Sequence, residues 1–378
     1  MEIGGFFEFP KLESIDNGDS VYKHLENANE NFQLVRDGRQ AIKTVLLNIK
    51  NINNMTCFLP AYLCKSIIQP FNELNLDIKF YGHVDILKPE IDGINDSVIF
   101  VIDYFGRDTL SNKEIYEVLD RNNVLILDAT HSILNPEKFD IKEKNYYIIS
   151  SLRKMFPIPD GGVLYSNENF NYDLAGLPMG YEKNLEAMIL RSFYINNFNL
   201  GYRENNKMES IMKRIYSEIG SKDENLKTIK QYYLSLHYDY ELEKFDDVGI
   251  PQNIPTISLQ ILNNISYPEI VKKRKENLKF FYTEIEDEDI FLYNFNEIKS
   301  PFMLPLRFRT ENERNSVKEA LIKNDIYPPL LWDLEEIIPK KFFYERELRK
   351  QIMMIPIDQR YAPDDLSKVV ELLNYPHI

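Results

Sequence analysis

The sequence contains few cysteines, and its acidic residues outnumber the basic ones. Cys57 and Cys64 are the two cysteines among 378 residues, and no second pair completes a zinc site with them. We therefore predict no metal site and a reducing compartment, the cytoplasm, where cysteine behaves as a small apolar residue. The 45 Lys and Arg face 59 Asp and Glu, and the net charge of −14 argues against nucleic acid or an anionic membrane as a partner.

Long apolar runs are also lacking. The longest, at 97–102, falls far short of the roughly 20 residues that cross a bilayer. The N-terminus is acidic at Glu2 where a signal peptide is basic, so we expect neither a membrane segment nor a secretion signal. Apolar residues make up 44% and charged residues 28%, as in globular chains, and the length indicates roughly two to three domains.

Apolar runs and helical patterns alternate in the first half of the chain. Short apolar runs predict strands at 56–59, 77–81, 98–103, 124–128, 145–150 and 162–165. Apolar spacing of three and four residues predicts helices at 41–49, 62–74 and 111–122. Such alternation predicts an α/β domain with a mainly parallel sheet that helices cover on both faces.

The second half changes character. Residues 167–241 are helical in pattern, and the segment 246–255, with two prolines and a glycine, is a candidate boundary. Helices and one strand follow it, as in a small α+β domain. We predict a large domain at 13–245 and a small C-terminal domain at 250–378, with residues 1–12 packing on the small domain.

Several reactive side chains follow the predicted strands, where an open parallel sheet binds its ligands. They lie in the segments 60–62, 103–106, 128–131 and 150–154, and the segment 37–39 before the first predicted helix joins them. A lysine at a strand end suits Schiff-base chemistry, because burial lowers its pKa and supplies the free amine. A neighbouring aspartate can hold a protonated pyridine nitrogen, and backbone N–H groups at the helix start beside Gly38 can hold a phosphate. Together these are the parts of a pyridoxal-phosphate (PLP) site.

Four segments, in order, resemble the sugar-nucleotide aminotransferases of the DegT/StrS type. The segment 128–132 (DATHS) resembles the family's D-A-A-[HQ]-[SA], and 150–162 (SSLRKMFPIPDGG) resembles its lysine followed by an acid and two glycines. The segments 101–106 and 59–62 resemble two further strand ends of the family. The resemblance implies a fold-type-I PLP enzyme with a large α/β domain and a smaller C-terminal domain.

The resemblance also implies roles for individual residues. Lys154 would form the Schiff base with PLP, Asp128 would pair with the pyridinium nitrogen, and His131 would lie near the phenolic oxygen. Phosphate contacts would come from Gly38, Arg39 and a hydroxyl of Ser150 or Ser151.

The sequence departs from the family at two places. Asp37 stands where the family has serine, and its carboxylate would repel a phosphate unless it turns away as a helix N-cap. Cys64 stands where the family has an aromatic residue that stacks on the cofactor ring. Either Tyr62 or the pair Asp103-Tyr104 would then cover that face of the ring, or no side chain would.

The resemblance implies a transaminase that moves an amino group from glutamate to a nucleotide-linked keto-sugar, in polysaccharide or glycoconjugate biosynthesis. It also implies a homodimer with the site at the subunit interface. One alternative is a PLP enzyme for a small amino or oxo acid, with Arg360 or Arg153 as its carboxylate clamp. Another is a non-catalytic descendant of the fold, against which the retained Lys154 argues.

Taken singly, the same residues have structural explanations. Lys154 by itself would be a solvated loop residue, Asp128 a cap, and His131 a core histidine with satisfied hydrogen bonds. Arg153 would be a surface or interface charge, and Arg360 part of a salt bridge beside a helix.

Overall fold

The computed structural model describes residues 2–12, 17–29, 31–135, 143–170, 174–176, 178–198, 229–246, 248–334 and 337–375. The strands of these residues are β1 (Ile3–Gly4), β2 (Phe32–Val35), β3 (Thr56–Pro60), β4 (Asp77–Tyr81), β5 (His83–Val84), β6 (Lys88–Pro89), β7 (Val98–Ile102), β8 (Val124–Asp128), β9 (Tyr146–Ser151), β10 (Gly162–Ser166), β11 (Leu304–Arg307), β12 (Ile326–Tyr327) and β13 (Ile352–Ile355). The helices are α1 (Val21–Asn27), α2 (Gly38–Asn48), α3 (Lys65–Glu73), α4 (Asn112–Leu119), α5 (Glu182–Phe198), α6 (Ile229–Asp246), α7 (Thr256–Asn263), α8 (Tyr267–Glu284), α9 (Glu311–Lys323), α10 (Phe343–Gln351) and α11 (Pro363–Asn374).

A seven-stranded sheet forms the centre of the fold, in the order β2-β10-β9-β8-β7-β3-β4. The five strands from β9 to β4 run parallel to one another. β10 runs antiparallel to both of its neighbours, β2 and β9. The predicted mainly parallel sheet is therefore confirmed, with an antiparallel edge that includes one strand, β2, that was not predicted.

The sheet has a hydrophobic core on each face. Within β7, Phe100 and Ile102 belong to one buried cluster, while Ile99 and Val101 belong to the other, because successive strand side chains point to opposite faces. Helices α2 and α3 cover the first face, and α1 and α4 cover the second. Each such side chain, when fully buried, contributes about 1.5–3 kcal/mol, which is why these runs are apolar on both sides.

The start of α2 differs from its predicted position. The apolar spacing predicted a helix from residue 41, whereas α2 begins at Gly38 because Asp37 caps it. The difference matters because it brings the first turn of α2 to the edge of the sheet beside β10. Gly162 of β10 lies so close that a Cβ there would meet the Asp37 carbonyl oxygen at 2.5 Å.

The chain after β10 builds smaller elements around this sheet. Helix α5 and most of α6 lie within the segment predicted to be helical, and residues 199–228 between them fall outside the described residues. The described residues of that segment before α5, at 167–170, 174–176 and 178–181, form no helix, so the prediction was wrong there. β11 and β13 pair antiparallel, and β1 pairs in parallel with β12, which brings the N-terminal segment against the C-terminal part of the chain. The division into domains near 245–250 stays a prediction.

The described residues contain neither a membrane-spanning helix nor a cluster of metal-ligating side chains. None of their helices combines the length and the apolar composition that a bilayer crossing requires. They also contain no group of three or more His, Cys, Asp or Glu side chains placed to hold a metal ion.

Candidate active site

The site forms where the carboxyl ends of β8 and β9 meet the first turn of α2. Asp128 ends β8 and lies in register between Ile102 of β7 and Ile149 of β9. The backbone N–H of Ser151 donates to the Thr130 hydroxyl at 3.0 Å and ties the two strand ends together. This edge of the sheet is the one where the sequence placed the reactive side chains.

A cavity of about 260 Å³ opens at this edge, and we call it the first cavity. The predicted site residues that line it are Gly38, Arg39, Asp128, His131, Ser151 and Lys154. Its wall also includes Cys64, Thr130, Phe302 and Trp332. The structure thus brings together most of the residues that the motifs singled out.

Ser150 and Tyr62 lie elsewhere. Ser150 is fully buried within β9, and its side chain points to the face of the sheet opposite to that of Ser151. Tyr62 is fully buried behind the cavity wall, where its hydroxyl donates to the Leu331 carbonyl and its ring packs edge-on against Trp332. In this region Trp332 lines the first cavity, whereas neither Tyr62 nor the pair Asp103-Tyr104, the two candidates from the sequence, does so.

Lys154 occupies a tight turn directly after β9. The turn Leu152–Lys154 closes with a hydrogen bond from the Met155 N–H to the Leu152 carbonyl at 3.0 Å. The Lys154 side chain is exposed to the cavity, although it lies deep within the fold. The neighbouring Arg153 guanidinium, together with burial, lowers the pKa of Lys154. Burial was the expected cause, and the larger one, the charge of Arg153, was not foreseen.

Asp128 has a carboxyl group that is only partly stabilised as an anion. Burial raises the pKa of Asp128 to about 6, although the hydrogen bond from the Thr130 N–H at 2.9 Å opposes the shift. That bond gives Asp128 a local structural role in addition to its place in the cavity wall. A cationic partner in the cavity would stabilise the carboxylate further.

His131 is held as a neutral ring inside a stack of aromatic side chains. Its ring lies parallel to that of Phe302, with centroids 4.0 Å apart, and nearly parallel to the Trp332 ring at 5.7 Å. Burial, followed by the charge of Lys154, lowers the pKa of His131 to about 3. Because Nδ1 accepts from the Phe105 N–H at 3.3 Å, the proton of the neutral ring lies on Nε2.

The first turn of α2 carries its own anion. Asp37 Oδ1 accepts hydrogen bonds from the backbone N–H groups of Arg39 and Gln40 at 2.9 and 3.0 Å. Its other oxygen pairs with Arg36 Nε at 3.0 Å and with Lys244 Nζ at 3.4 Å. Burial favours protonation of Asp37, but the cations Lys244, Arg36 and Arg39 hold its pKa well below the ordinary value. Asp37 is therefore an N-cap, and its charge is already neutralised within the protein.

A second cavity of about 530 Å³ adjoins the first at Lys154. Arg360 lines it, and its guanidinium binds the carboxylate of Asp358 through Nε at 2.7 Å and Nη2 at 2.9 Å, and Glu8 at 3.1 Å. The salt bridge that the sequence favoured for Arg360 is thus present. Arg153 is not a surface charge, because its guanidinium pairs with Glu241 at 2.8 Å where the two cavities meet.

Three site residues of α6 escaped the sequence analysis. His237, Glu241 and Lys244 are spaced by four and three residues and lie on one face of the helix, which is the face that lines the two cavities. A polar stripe at this spacing within a strongly aromatic helix was the available signal.

No family model and no curated protein matches the sequence, whereas solved structures do. Spr1654 from Streptococcus pneumoniae, assigned as a sugar aminotransferase and solved in its pyridoxamine-phosphate (PMP) form, is 11% identical, and the match covers 98% of this chain and 91% of that chain with a TM-score of 0.61. The sugar aminotransferase CalS13 from Micromonospora echinospora is 14% identical over 96% and 93% of the two chains, with a TM-score of 0.58. A DegT/DnrJ/EryC1/StrS aminotransferase from Brucella abortus is 12% identical over 97% and 92%, with a TM-score of 0.58. This chain therefore has the fold of the sugar aminotransferases, and the predicted fold-type-I architecture is confirmed.

Proposed function

We propose that the chain is a PLP-dependent aminotransferase with Lys154 as its catalytic lysine. The observation that carries the proposal is the place of this amine, which follows a parallel strand, faces a cavity and has a lowered pKa. The carboxyl of Asp128 and the ring of His131 line the same cavity. The shared fold and the PMP form of Spr1654 support the choice of cofactor.

The residues of the first cavity fit a phosphorylated pyridine cofactor. Cations outnumber anions around the first turn of α2, since Arg36, Arg39, Arg153 and Lys244 face the three carboxylates Asp37, Asp160 and Glu241. Gly38 permits close packing there, because a Cβ would meet the Ser151 Cβ at 2.8 Å. A phosphate dianion would find the guanidinium of Arg39, the hydroxyls of Ser151 and Thr130, and the positive end of a helix.

The site residues can each perform one task of a transamination. When bound, PLP supplies an electron sink that stores the amino group between the two half-reactions. Lys154 presents a free amine more readily than an ordinary lysine, so it can accept the proton from the donor's α-carbon and later return one. Asp128 would hold the proton of the pyridine nitrogen, and the neutral His131 can donate from Nε2 to an oxygen in the cavity.

We infer glutamate as the amino donor and a nucleotide-linked keto-sugar as the acceptor. The second cavity, bounded by Asn184, His237, Tyr327 and Pro328, is twice the volume of the first and suits a bulky acceptor. Arg360 is already bound to two carboxylates, which argues against its use as a clamp for a small oxo acid. The fold shared with sugar aminotransferases supports the same choice.

The proposal also includes the cellular compartment, the oligomeric state, the pathway and the domain division of the enzyme. We infer a cytoplasmic homodimer that acts in polysaccharide or glycoconjugate biosynthesis, with a large domain at 13–245 and a small one at 250–378. Both cysteines are free, as expected in a reducing compartment. Sedimentation velocity at several concentrations tests the dimer, and a fully active monomer would contradict it.

A single-turnover panel tests the substrate class. The enzyme is loaded with its amino group by glutamate, candidate acceptors are added one at a time, and the return of the visible absorbance band of the lysine-linked cofactor is followed. We expect one keto-sugar nucleotide to restore the band and small oxo acids other than 2-oxoglutarate to do so poorly. Broad reaction with small oxo acids that Arg360→Ala abolishes would replace the sugar hypothesis by the small-acid alternative.

A further inference from the structure

Arg153 and Glu241 form an ion pair at the junction of the two cavities. Arg153 Nη2 lies 2.8 Å from Glu241 Oε1 and 3.2 Å from Oε2. The Glu241 side chain is 31% exposed and that of Arg153 is 15% exposed, so the carboxylate is the more accessible partner. Among the described residues, Arg153 and Lys154 are the cations that line both cavities.

The guanidinium of Arg153 keeps its position through contacts other than Glu241. It lies over the Tyr240 ring, 5.6 Å from the centroid, and its Nε is 4.0 Å from Asp160 Oδ1. Tyr240 and Asp160 are both buried. Without the Glu241 carboxylate, these contacts would therefore keep the Arg153 guanidinium in place, and its outer edge would face the two cavities.

We propose that Arg153 binds the α-carboxylate of the amino donor and that Glu241 is an internal carboxylate which the donor displaces. This inference rests on the proposed transamination. An α-amino acid carries its carboxylate two bonds from its amine, so an amine directed to Lys154 places the carboxylate near a cation beside that lysine. Arg153 is its neighbour in sequence and shares its two cavities.

The exchange replaces one carboxylate by another on the same guanidinium. The charge-assisted hydrogen bonds of Arg153 are broken with Glu241 and formed again with the donor, so the buried cation is never left unpaired. The other arginines of the second cavity are less able to exchange a partner for a donor carboxylate. Arg274 donates to the carbonyls of Pro301, Phe302 and Met155, and Arg360 holds two carboxylates.

The Arg153–Glu241 ion pair could be purely structural, or the donor could displace Glu241 from it, and the two roles predict different effects of substitution. If the pair only ties α6 to the turn after β9, loss of either partner disturbs the site in the same direction. If Glu241 competes with the donor, loss of Glu241 strengthens donor binding, whereas loss of Arg153 weakens it. Opposite signs for the two partners therefore separate the two explanations.

The test measures the first half-reaction of the cofactor-loaded enzyme with glutamate by stopped-flow absorbance. The Kd of glutamate should rise roughly 10- to 100-fold in Arg153→Met, the size expected for a hydrogen bond to a charged group, and less in Arg153→Lys. In Glu241→Gln the Kd should fall roughly 3- to 10-fold. The limiting rate should change less than the Kd in all three variants.

Glu243→Gln is the matched control, because Glu243 lies on the same helix and forms an exposed pair with Lys183. It removes the same charge and should leave the Kd of glutamate unchanged. Glutarate has two carboxylates and no amine. In calorimetric titrations, Glu241→Gln should bind glutarate more tightly than wild type does, and Arg153→Met should bind it more weakly.

The outcomes separate the two proposals. Suppose that the wild-type protein reacts with glutamate, but Arg153→Met and Glu241→Gln both raise the Kd of glutamate, or neither changes it. The role of Arg153 as the carboxylate-binding residue is then wrong, while the proposed function stands. A wild-type protein that shows no donor reaction overturns the proposed function, and the carboxylate assignment with it.

Discussion

The carboxylate of Asp128 accepts a hydrogen bond from the backbone N–H of Thr130 at 2.9 Å, and yet burial raises the pKa of this group to about 6. Hydrogen bonding to Thr130 does not compensate for the water that the carboxylate loses in the cavity wall. A residue kept there at a cost in stability is typical of a functional site. The pH dependence of stability measures that cost.

Replacement of Asp128 by asparagine should stabilise the protein before cofactor is added. Because the folded pKa lies above the unfolded value near 4, the folded state binds the extra proton, and wild-type stability falls as the pH rises from about 4 to about 6. Above pH 6, Asp128→Asn should gain roughly 3 kcal/mol in the free energy of unfolding over wild type. Urea unfolding at pH 7.5 and at pH 4 checks this, and the gain should vanish at the lower pH.

The same variant should lose turnover while it keeps the cofactor. An amide cannot stabilise a protonated ring nitrogen, and such an electrostatic contribution is worth roughly 3 kcal/mol of barrier. Stopped-flow measurement of the glutamate half-reaction should show this loss. A near wild-type rate would mean that Asp128 only caps the turn at Thr130.

Replacement of Asp37 by serine should have the opposite effect on stability. Serine preserves an N-cap, but Arg36 loses its paired carboxylate and Lys244 keeps only Asp160, at a cost of roughly 3 kcal/mol at pH 7. Because the folded pKa of Asp37 lies below the unfolded value, the cost should shrink as the pH falls below about 4. Urea unfolding across this pH range is the measurement.

The serine variant should also bind phosphate more tightly. With one anion fewer beside Gly38, the affinity for PLP should rise roughly 10-fold relative to that for pyridoxal, which lacks the phosphate. Absorbance titrations with the two compounds give this ratio. An unchanged ratio would place the phosphate away from the first turn of α2.

Trp332 is the single tryptophan of the chain and should report on occupancy of the first cavity. Its ring lies 5.7 Å from that of His131, in the wall that a bound cofactor would face. Addition of PLP should quench its emission in proportion to the visible band of the lysine-linked cofactor. Trp332→Phe supplies the background, and free tryptophan supplies the correction for absorbed light. Unchanged emission at saturation would remove Trp332 from the binding site.

The sequence predicted what depends on local pattern. The end of a strand at Asp128 and the position of Lys154 just after β9 followed from short apolar runs, and the edge of the sheet where the two residues meet followed from parallel topology. β2 was missed because four residues at an edge, Phe32–Val35, carry little periodic signal and are defined by pairing with β10.

Contacts between segments far apart in the chain could not be predicted from the sequence. Glu241 reaches Arg153 across 88 residues, and Lys244 reaches Asp37 across a longer interval, so no spacing rule connects them. The approach of Trp332 to His131 likewise depends on packing between remote parts of the chain.

The central claim is that Lys154 is the amine that binds PLP, and borohydride reduction followed by peptide mapping tests it most directly. The first cavity also contains Lys244, whose ammonium is held by Asp160 and Tyr240, so the two lysines compete within one experiment. We predict a pyridoxyl group on the peptide that carries Lys154, and its loss in a Lys154→Ala variant that still folds. A label on Lys244, or equal labelling of Lys154→Ala and wild type, would contradict the account.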